Sequence, residues 1–390
     1  MHGLAPPEKR LARSAGPQAI PALDGFRAIA IWLVMLSHVG LSQSVPGQFG
    51  VTLFFFLSGY LIITLLRREF EASGTISFKS FYLRRAVRIL PPLAFALALA
   101  VVCSLLGLLH PLNYAGLVTD VLFLSNYLPM SGVPIGLWSL AVEEHFYFLF
   151  PAIALLCFVR GGARVCAIFC ALACIATLGV RFYEAARVSD LTLINFWTHT
   201  RIDSILFGAM LACWNNPVMD RTDRMPRKWL SYALAFGLLA VTFIIRDEWF
   251  RQTWRYSLQG IALFLLFNAA IRDEGVVRRV LDSRPLQFTA LLSYTLYLVH
   301  STVVAVAENW VPALGYAPAM AAALALSFAI AWGVYVAIER PAANWRRRVE
   351  RGWRSRQSAR PSPAGEAAAA PFDTAAKPLD GEGEALGHLR

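Results

Sequence analysis

Ionisable side chains interrupt long apolar stretches at three places in this chain. The first stretch holds Arg27 and His38, the second begins with Arg85 and Arg88, and the third carries a pair of glutamates that starts at Glu143. An ionisable group in hydrocarbon is costly unless it faces a protein interior or a water-filled cavity, so such groups usually mark a reaction site or a transport path. The sequence therefore predicts a membrane protein with a polar centre.

His38 has the side chain that a general base requires. A base that takes a proton from a hydroxyl has to be neutral near pH 7, and imidazole suits this role. Arg27 precedes His38 by eleven residues, which corresponds to about 16 Å along a straight helix. We therefore expect Arg27 near the cytoplasmic face and His38 in the outer half of the membrane. The alternative is an interfacial histidine at a helix end.

Arg85 and Arg88 form a candidate anion clamp. They lie three residues apart on one helical face, and Arg84 joins Arg88 at the i, i+4 spacing. Guanidinium forks bind phosphate oxygens in pairs, so the clamp suits coenzyme A, which carries several phosphate charges. The alternative is an anchor that only sets topology, because arginines are common at cytoplasmic helix ends.

Glu143 and Glu144 are neighbours on a helix, so their side chains point about 100° apart and one of them is expected to face inward. A carboxylate there could orient an imidazole or bind hydroxyl groups. Pairing with an arginine inside the membrane is the alternative. His300 is predicted to be either a hydrogen-bonded core residue or part of the site. Arg201 and Asp203 are expected to pair with each other for structural reasons.

The elements that position these residues are predicted to be membrane-spanning helices. Hydrophobic residues make up 57% of the 390-residue chain and the mean hydropathy is +0.52, which excludes an ordinary soluble protein. Apolar stretches of about twenty residues suit a hydrocarbon core of roughly 30 Å. The fold class is therefore all-α and polytopic. Ten spans are predicted, at 26–42, 50–66, 88–109, 137–158, 165–181, 200–215, 229–245, 256–271, 288–307 and 318–339.

Charge determines the predicted orientation of these spans. The segment 116–128 is too short to cross alone and is predicted to be a re-entrant or interfacial helix. The loops on the N-terminal side then hold 29 Lys and Arg residues, against six on the opposite side. The positive-inside rule places both termini in the cytoplasm. The net charge of +11 follows from this bias, and no nucleic-acid-binding module is visible.

The flanking segments and the cysteines are predicted to carry no chemistry. Residues 1–22 form a polar cytoplasmic segment without a cleavable signal peptide, 23–345 form the transmembrane domain, and 346–390 form a basic, then low-complexity tail that we expect to be disordered. Cys166, Cys170 and Cys174 share one helix face, but no metal-ligand spacing accompanies them, so packing is the favoured interpretation and no metal is predicted.

Taken together, the motifs resemble membrane-bound acyltransferase family 3, which includes enzymes similar to bacterial O-antigen and exopolysaccharide O-acetyltransferases. Phe26 stands where the family usually has leucine, which changes shape but no chemistry. The matching motifs are Leu23–Ala30 with Ser37–His38, Gly50–Val51, Phe54–Ile62, Arg85–Pro91, Trp138–Leu140 with Glu143–Glu144, Arg201–Asp203 with Gly208, and Ser293–His300.

The resemblance implies a multi-pass enzyme of the bacterial inner membrane that moves an acyl group, commonly acetyl from acetyl-CoA, to a hydroxyl of a glycan, glycolipid or other acceptor such as lipopolysaccharide. Its site residues would be His38 and Glu143 for catalysis, Arg27, Arg85 and Arg88 for the donor, and Trp138, Glu144 and His300 for the acceptor. Its partners would be acyl-CoA, the acceptor and the lipid bilayer, with no nucleic acid and no metal.

Three alternatives remain open at this level. A secondary transporter would also have buried charges, although such folds usually show an internal repeat, and none is visible. An enzyme of the other large membrane O-acyltransferase group would make His300 catalytic. The acceptor could also be a small natural product. Ser58 lacks the strand–elbow context of a serine nucleophile, so we expect no acyl-serine.

Overall fold

The computed structural model describes residues 21–128, 132–133 and 136–358, and all regular structure in these ranges is helical. This agrees with the predicted all-α class. The helices are α1 Pro21–Leu36, α2 Gly47–Ser73, α3 Phe78–Leu105, α4 Tyr114–Val121, α5 Leu137–Ala185, α6 Thr198–Trp214, α7 Lys228–Ile244, α8 Glu248–Gln252, α9 Trp254–Ile271, α10 Val276–Leu281, α11 Arg284–Ala307, α12 Val311–Leu314, α13 Tyr316–Val334 and α14 Arg340–Ser358, with π-helical turns at Ser37–Leu41 and Tyr335–Glu339.

Six helical stretches in the described ranges are long and apolar enough to cross a membrane. They are Ala22–Leu41, Gly47–Ser73, Phe78–Leu105, Leu137–Ala185, Arg284–Leu314 and Tyr316–Trp353. Helices α6, α7 and α9 occupy the sixth, seventh and eighth predicted spans but have only 17, 17 and 18 residues. A polytopic membrane protein is therefore supported, while the number of ten spans and the cytoplasmic placement of the termini stay predictions.

Helix α5 folds back on itself. The rings of Phe150 and Phe169 lie 6.2 Å apart, although nineteen residues of straight helix would separate them by about 28 Å. The backbone breaks at Gly161 and Gly162, and Gly162 has φ +67° and ψ −160°, a conformation that favours glycine. The predicted fourth and fifth spans thus form one helical hairpin, and two glycines make the turn that was expected to be a loop over 159–164.

Helices α2 and α6 pack backbone against backbone at the centre of the bundle. A Cβ atom on Gly59 would lie 1.9 Å from the carbonyl oxygen of Ile205, and one on Gly208 would lie 2.0 Å from that of Phe56. Small residues permit such close approach between membrane helices. Gly59 and Gly208 therefore permit the tight packing of α2 against α6.

The short helix predicted over 116–128 is shorter in the structure, since α4 ends at Val121 and turns follow it. Its first turn is capped by the Asn113 side chain, which accepts a hydrogen bond from the Ala115 amide at 3.1 Å. Asp120, in the last turn of this helix, is buried. Helix α4 has eight residues, too few to span a bilayer.

The chain divides into a body that ends at Ala343 and a C-terminal part that begins at Asn344. The basic residues that begin the predicted tail lie in α14, which continues to Ser358. Residues 1–20 and 359–390, which hold most of the predicted terminal segments, lie outside the described residues. The domain boundaries at 22 and 345 stay predictions.

Candidate active site

A cavity of about 90 Å³ lies between α1, α2, α3, α5 and α11. Its wall brings together four of the predicted site residues, which come from three separate helices. It is lined by Arg27, Val51, Phe54, Phe55, Leu57, Ser58, Leu61, Arg85, Arg88, Ile89, Ser139, Leu140, Glu143, Tyr147, Ser293, Tyr294 and Tyr297. The predicted donor residues and Glu143 are therefore neighbours in space, as the hypothesis of one site requires.

Glu143 is held by two hydroxyl groups on the cavity wall. Ser58 donates to its Oε1 at 2.8 Å and Tyr147 donates to its Oε2 at 3.1 Å. Both oxygens are thus oriented, and neither is bonded to an imidazole. Between the two glutamates, Glu143 is the one that lines the cavity.

Three guanidinium groups face the same cavity. Arg27 is paired with Asp24 at 2.7 Å, whereas Arg85 and Arg88 have no carboxylate within salt-bridge distance among the described residues. The Arg85 guanidinium lies 4.6 Å from the centroid of the Tyr147 ring, a cation–π contact. Arg88 is exposed and Arg85 is half-buried. Two positive groups are therefore left available to an anion at the cavity.

His38 and His300 form a pair next to the cavity. Their ring centroids are 5.0 Å apart with the planes at 74°, and the Tyr297 ring, which lines the cavity, lies 6.1 Å from the His300 ring. The His300 ring is buried, which agrees with the predicted alternative of a hydrogen-bonded core residue. It also lies next to His38, which agrees with the alternative that His300 is part of the site. Helix α11 thus connects the cavity to both imidazoles.

The backbone fixes the tautomer of both rings. The Nδ1 atoms of His38 and His300 lie 2.8 Å from the carbonyl oxygens of Val34 and Leu296, one helical turn earlier. A carbonyl oxygen only accepts, so each Nδ1 carries the hydrogen and the lone pair of the neutral ring lies on Nε2. The Nε2 atom of His300 lies 3.0 Å from the Ser301 hydroxyl. Among the described residues, His38 Nε2 has no hydrogen-bond partner, so its lone pair is available to a substrate.

The remaining predicted acceptor residues lie beside the cavity rather than on its wall. Trp138 packs edge-on against Phe55 and Phe196, with centroids 6.2 and 5.1 Å away. Glu144 has a buried Oε1 without a hydrogen-bond partner. A buried acceptor atom of this kind is costly unless water or a ligand satisfies it.

The expected pairing of Arg201 with Asp203 is wrong. Asp203 instead accepts from Arg181 at 2.8 Å, with both side chains fully buried. Residues two apart on a helix point to different sides, and Arg201 turns toward the ring of Tyr256, 3.5 Å from its centroid. Arg181, the last residue of the predicted fifth span, is thus an interior residue.

Six hydroxyl-bearing residues line the cavity and were not predicted as site residues, and Ser58, Tyr147 and Tyr297 are the three that contact Glu143 or the His300 ring. Tyr147 follows Glu143 by four residues and Tyr297 precedes His300 by three, so helical spacing could have identified both. Ser58 donates across to another helix, and no sequence signal indicates that. No group of three or more potential metal ligands occurs among the described residues.

Comparison with known proteins places the chain in one family. Residues 20–337 match the model of acyltransferase family 3, which is described as an acyltransferase domain. The chain is 30% identical over 318 residues to the protein named "Putative O-acetyltransferase SACOL0978" of Staphylococcus aureus strain COL, covering 75% of this chain and 52% of the relative. It is 26% identical over 323 residues to "O-acetyltransferase OatA" of Staphylococcus aureus strain NCTC 8325, covering 77% and 53%.

The chain spans about half the length of these curated relatives. No solved structure matches the chain. The family model covers most of the chain, including every predicted site residue and every residue of the cavity wall. The chain therefore belongs to acyltransferase family 3.

Proposed function

We propose that the chain transfers an acyl group, acetyl in the first instance, from cytoplasmic acyl-CoA to a hydroxyl of an extracytoplasmic glycan or glycolipid. The observation that carries this proposal is the cavity. Its wall joins Arg85 and Arg88, which have no ion pair among the described residues, to Glu143, and Tyr297 on the same wall leads through the His300 ring to the imidazole of His38. The relatives named as O-acetyltransferases support acetyl as the group.

In this proposal, Arg85 and Arg88 bind the phosphates of coenzyme A. Arginine forks suit phosphate oxygens, and the two guanidinium groups have no competing carboxylate among the described residues. The cavity of about 90 Å³ has room for an acetyl thioester end but not for a nucleotide. The nucleotide therefore stays outside at the exposed Arg88, and the pantetheine arm enters along the cavity.

His38 acts on the acceptor hydroxyl. Its Nε2 takes the hydroxyl proton while the hydroxyl oxygen attacks the thioester carbonyl, and the C–S bond of the resulting tetrahedral intermediate then breaks. The released thiolate takes the proton from the imidazolium, which restores neutral His38 and gives free coenzyme A. No acyl-enzyme is required. Glu143, which accepts hydrogen bonds from Ser58 and Tyr147, orients the thioester of the donor.

The donor and acceptor are proposed to approach from opposite sides of the membrane. Arg27 and His38 are separated by about 16 Å of helix rise, which is within the reach of an extended pantetheine arm. The test uses the purified chain in sealed vesicles, with radiolabelled acetyl-CoA outside and a de-O-acetylated bacterial polysaccharide inside. Vesicles with the C-terminal tail outward should label the trapped polysaccharide. Labelling only when donor and acceptor share one side would refute transfer across the membrane.

A further inference from the structure

A second groove, separate from the site above, lies at the turn of the α5 hairpin and the end of α6. Its volume is about 570 Å³, within the roughly 300–1,000 Å³ of small-molecule sites. It shares no lining residue with the first cavity. The proposed acyl transfer makes no use of it.

The groove carries a strong positive charge. Four arginines, Arg67, Arg164, Arg221 and Arg224, line it against one acidic residue, Asp220. Arg67 binds Asp220 through two nitrogens, at 2.6 and 3.2 Å. Burial opposes ionisation of Asp220, but this pairing with Arg67 keeps its pKa below the ordinary value. Asp220 is therefore already ion-paired with Arg67, and four arginines against one carboxylate leave the groove with an excess of positive charge.

Arg164 and Arg221 are the free members of this set. Neither has an ion pair or a hydrogen-bond partner within the part of the chain that the structure describes, and both are exposed. The Arg224 side chain donates to the Trp214 carbonyl oxygen, at 3.2 Å. Positive side chains on a cytoplasmic loop are expected from topology alone. Their convergence on one groove is the additional observation.

The loop that forms the groove rim is fixed rather than loose. The Asn216 amide donates to Asp220 at 2.8 Å, and the Asn215 side chain donates to Asp223 at 2.9 Å. On the opposite rim, the left-handed Gly162 sets the direction in which the second half of α5 leaves the turn, and Arg164 follows two residues later. The backbone segments that carry Arg164 and Arg221 are thus fixed before any ligand arrives.

The surroundings of the groove indicate a lipid. It opens where apolar helices end, beside Trp214, which is 38% exposed, and Val165, which follows the lining residue Arg164 in the chain, is 36% exposed. Tryptophan is enriched at membrane–water interfaces, and basic pockets between membrane helices on the cytoplasmic side bind anionic head groups. A phosphodiester head group would meet the arginines while its acyl chains lie along the exposed apolar residues.

We propose that this groove binds the phosphate head group of an anionic membrane phospholipid through Arg164 and Arg221.

The test measures retention of phosphatidylglycerol by the full chain in mixed phosphatidylcholine and phosphatidylglycerol nanodiscs. A double variant, Arg164→Gln with Arg221→Gln, should lose selective retention by roughly 25-fold, from about fivefold for each arginine near an anionic surface. Arg227→Gln is the matched control, because Arg227 is exposed in the same loop region but does not line the groove. It should retain phosphatidylglycerol as the unchanged chain does.

Three results would overturn the assignment. An equal loss in Arg227→Gln would show a diffuse surface charge instead of a site. Equal retention of phosphatidylcholine and phosphatidylglycerol by the unchanged chain would show no selectivity for the anionic head group. Displacement of the lipid by coenzyme A, or by inorganic phosphate alone, would assign the groove to a soluble phosphate. Thermal unfolding of each variant confirms that it is folded. The test measures lipid retention alone, so a failure of the unchanged chain to transfer acyl groups would not affect it.

Discussion

At the scale of single residues, the hydrogen bond at one ring nitrogen distinguishes the two histidines of the site. His38 and His300 both donate Nδ1–H to a carbonyl oxygen in their own helix. The second nitrogen of His300 is engaged by Ser301, whereas that of His38 has no partner in the described residues. The resemblance already assigned catalysis to His38 and acceptor binding to His300. The geometry favours His38 as the base and His300 as its neighbour.

We expect His38→Ala to lower the rate of acyl transfer by about 10²–10⁴-fold, because loss of a general base typically costs this much. The protein should still insert and accumulate, since His38 is an exposed residue at the end of α1. The measurement is labelled acetyl transfer by membranes with matched protein content. His110→Ala, an exposed histidine outside the site, should leave the rate unchanged. A loss smaller than about tenfold in His38→Ala would contradict the assignment.

Arg85→Ala is expected to weaken coenzyme A binding by at least about tenfold, because hydrogen bonds to charged groups contribute roughly 1.5–3 kcal/mol. Arg84→Ala is the matched control, since Arg84 pairs with Glu69 at 3.3 Å and does not line the cavity. Isothermal titration of the purified variants with acetyl-CoA measures both. Equal affinities in the two variants would make Arg85 a topology anchor and move the donor site elsewhere.

At the scale of helices, the bundle depends on two glycines that allow α2 and α6 to touch. A methyl group on Gly208 would meet the Phe56 carbonyl oxygen, a backbone atom that cannot rotate away. We expect Gly208→Ala to lower the free energy of unfolding by about 1–3 kcal/mol through overpacking. Gly237→Ala in α7 should have little effect, because no atom lies within 4 Å of its Cβ position. Thermal unfolding in detergent compares the two, and equal melting temperatures would contradict the close packing.

The buried pair of Arg181 and Asp203 ties the second half of α5 to α6. Arg181 also donates to the Thr200 carbonyl oxygen at 2.8 Å and to Ser257 at 2.5 Å. Asp203→Asn leaves a buried cation without its partner, and we expect a loss of about 3–5 kcal/mol of stability. The double variant Arg181→Met with Asp203→Leu should lose less than Asp203→Asn alone. If the double variant were the less stable one, the ion pair itself would be the stabilising feature.

At the scale of the whole molecule, apolar periodicity and charge predicted the helical class, and helices occupy every stretch predicted to be a span. The positions of the helices in the sequence were predictable because hydrocarbon demands apolar residues in nearly continuous runs. The contacts between helices were not predictable, because they depend on which face of each helix meets which neighbour. Arg201 and Asp203 illustrate this. Their nearness in the sequence suggested a pair, but their side chains leave α6 in different directions and contact Tyr256 and Arg181.

The extent of the first cavity has a consequence for the electrical insulation of the membrane. A file of water across roughly 30 Å of hydrocarbon needs about ten molecules at hydrogen-bond spacing. The wall of the cavity, which includes Phe54 and Phe55, does not include His38, so water inside the cavity covers only part of that distance. In this structure the passage proposed for a thioester is therefore not a continuous file of water between the two membrane faces, and it gives protons no such path.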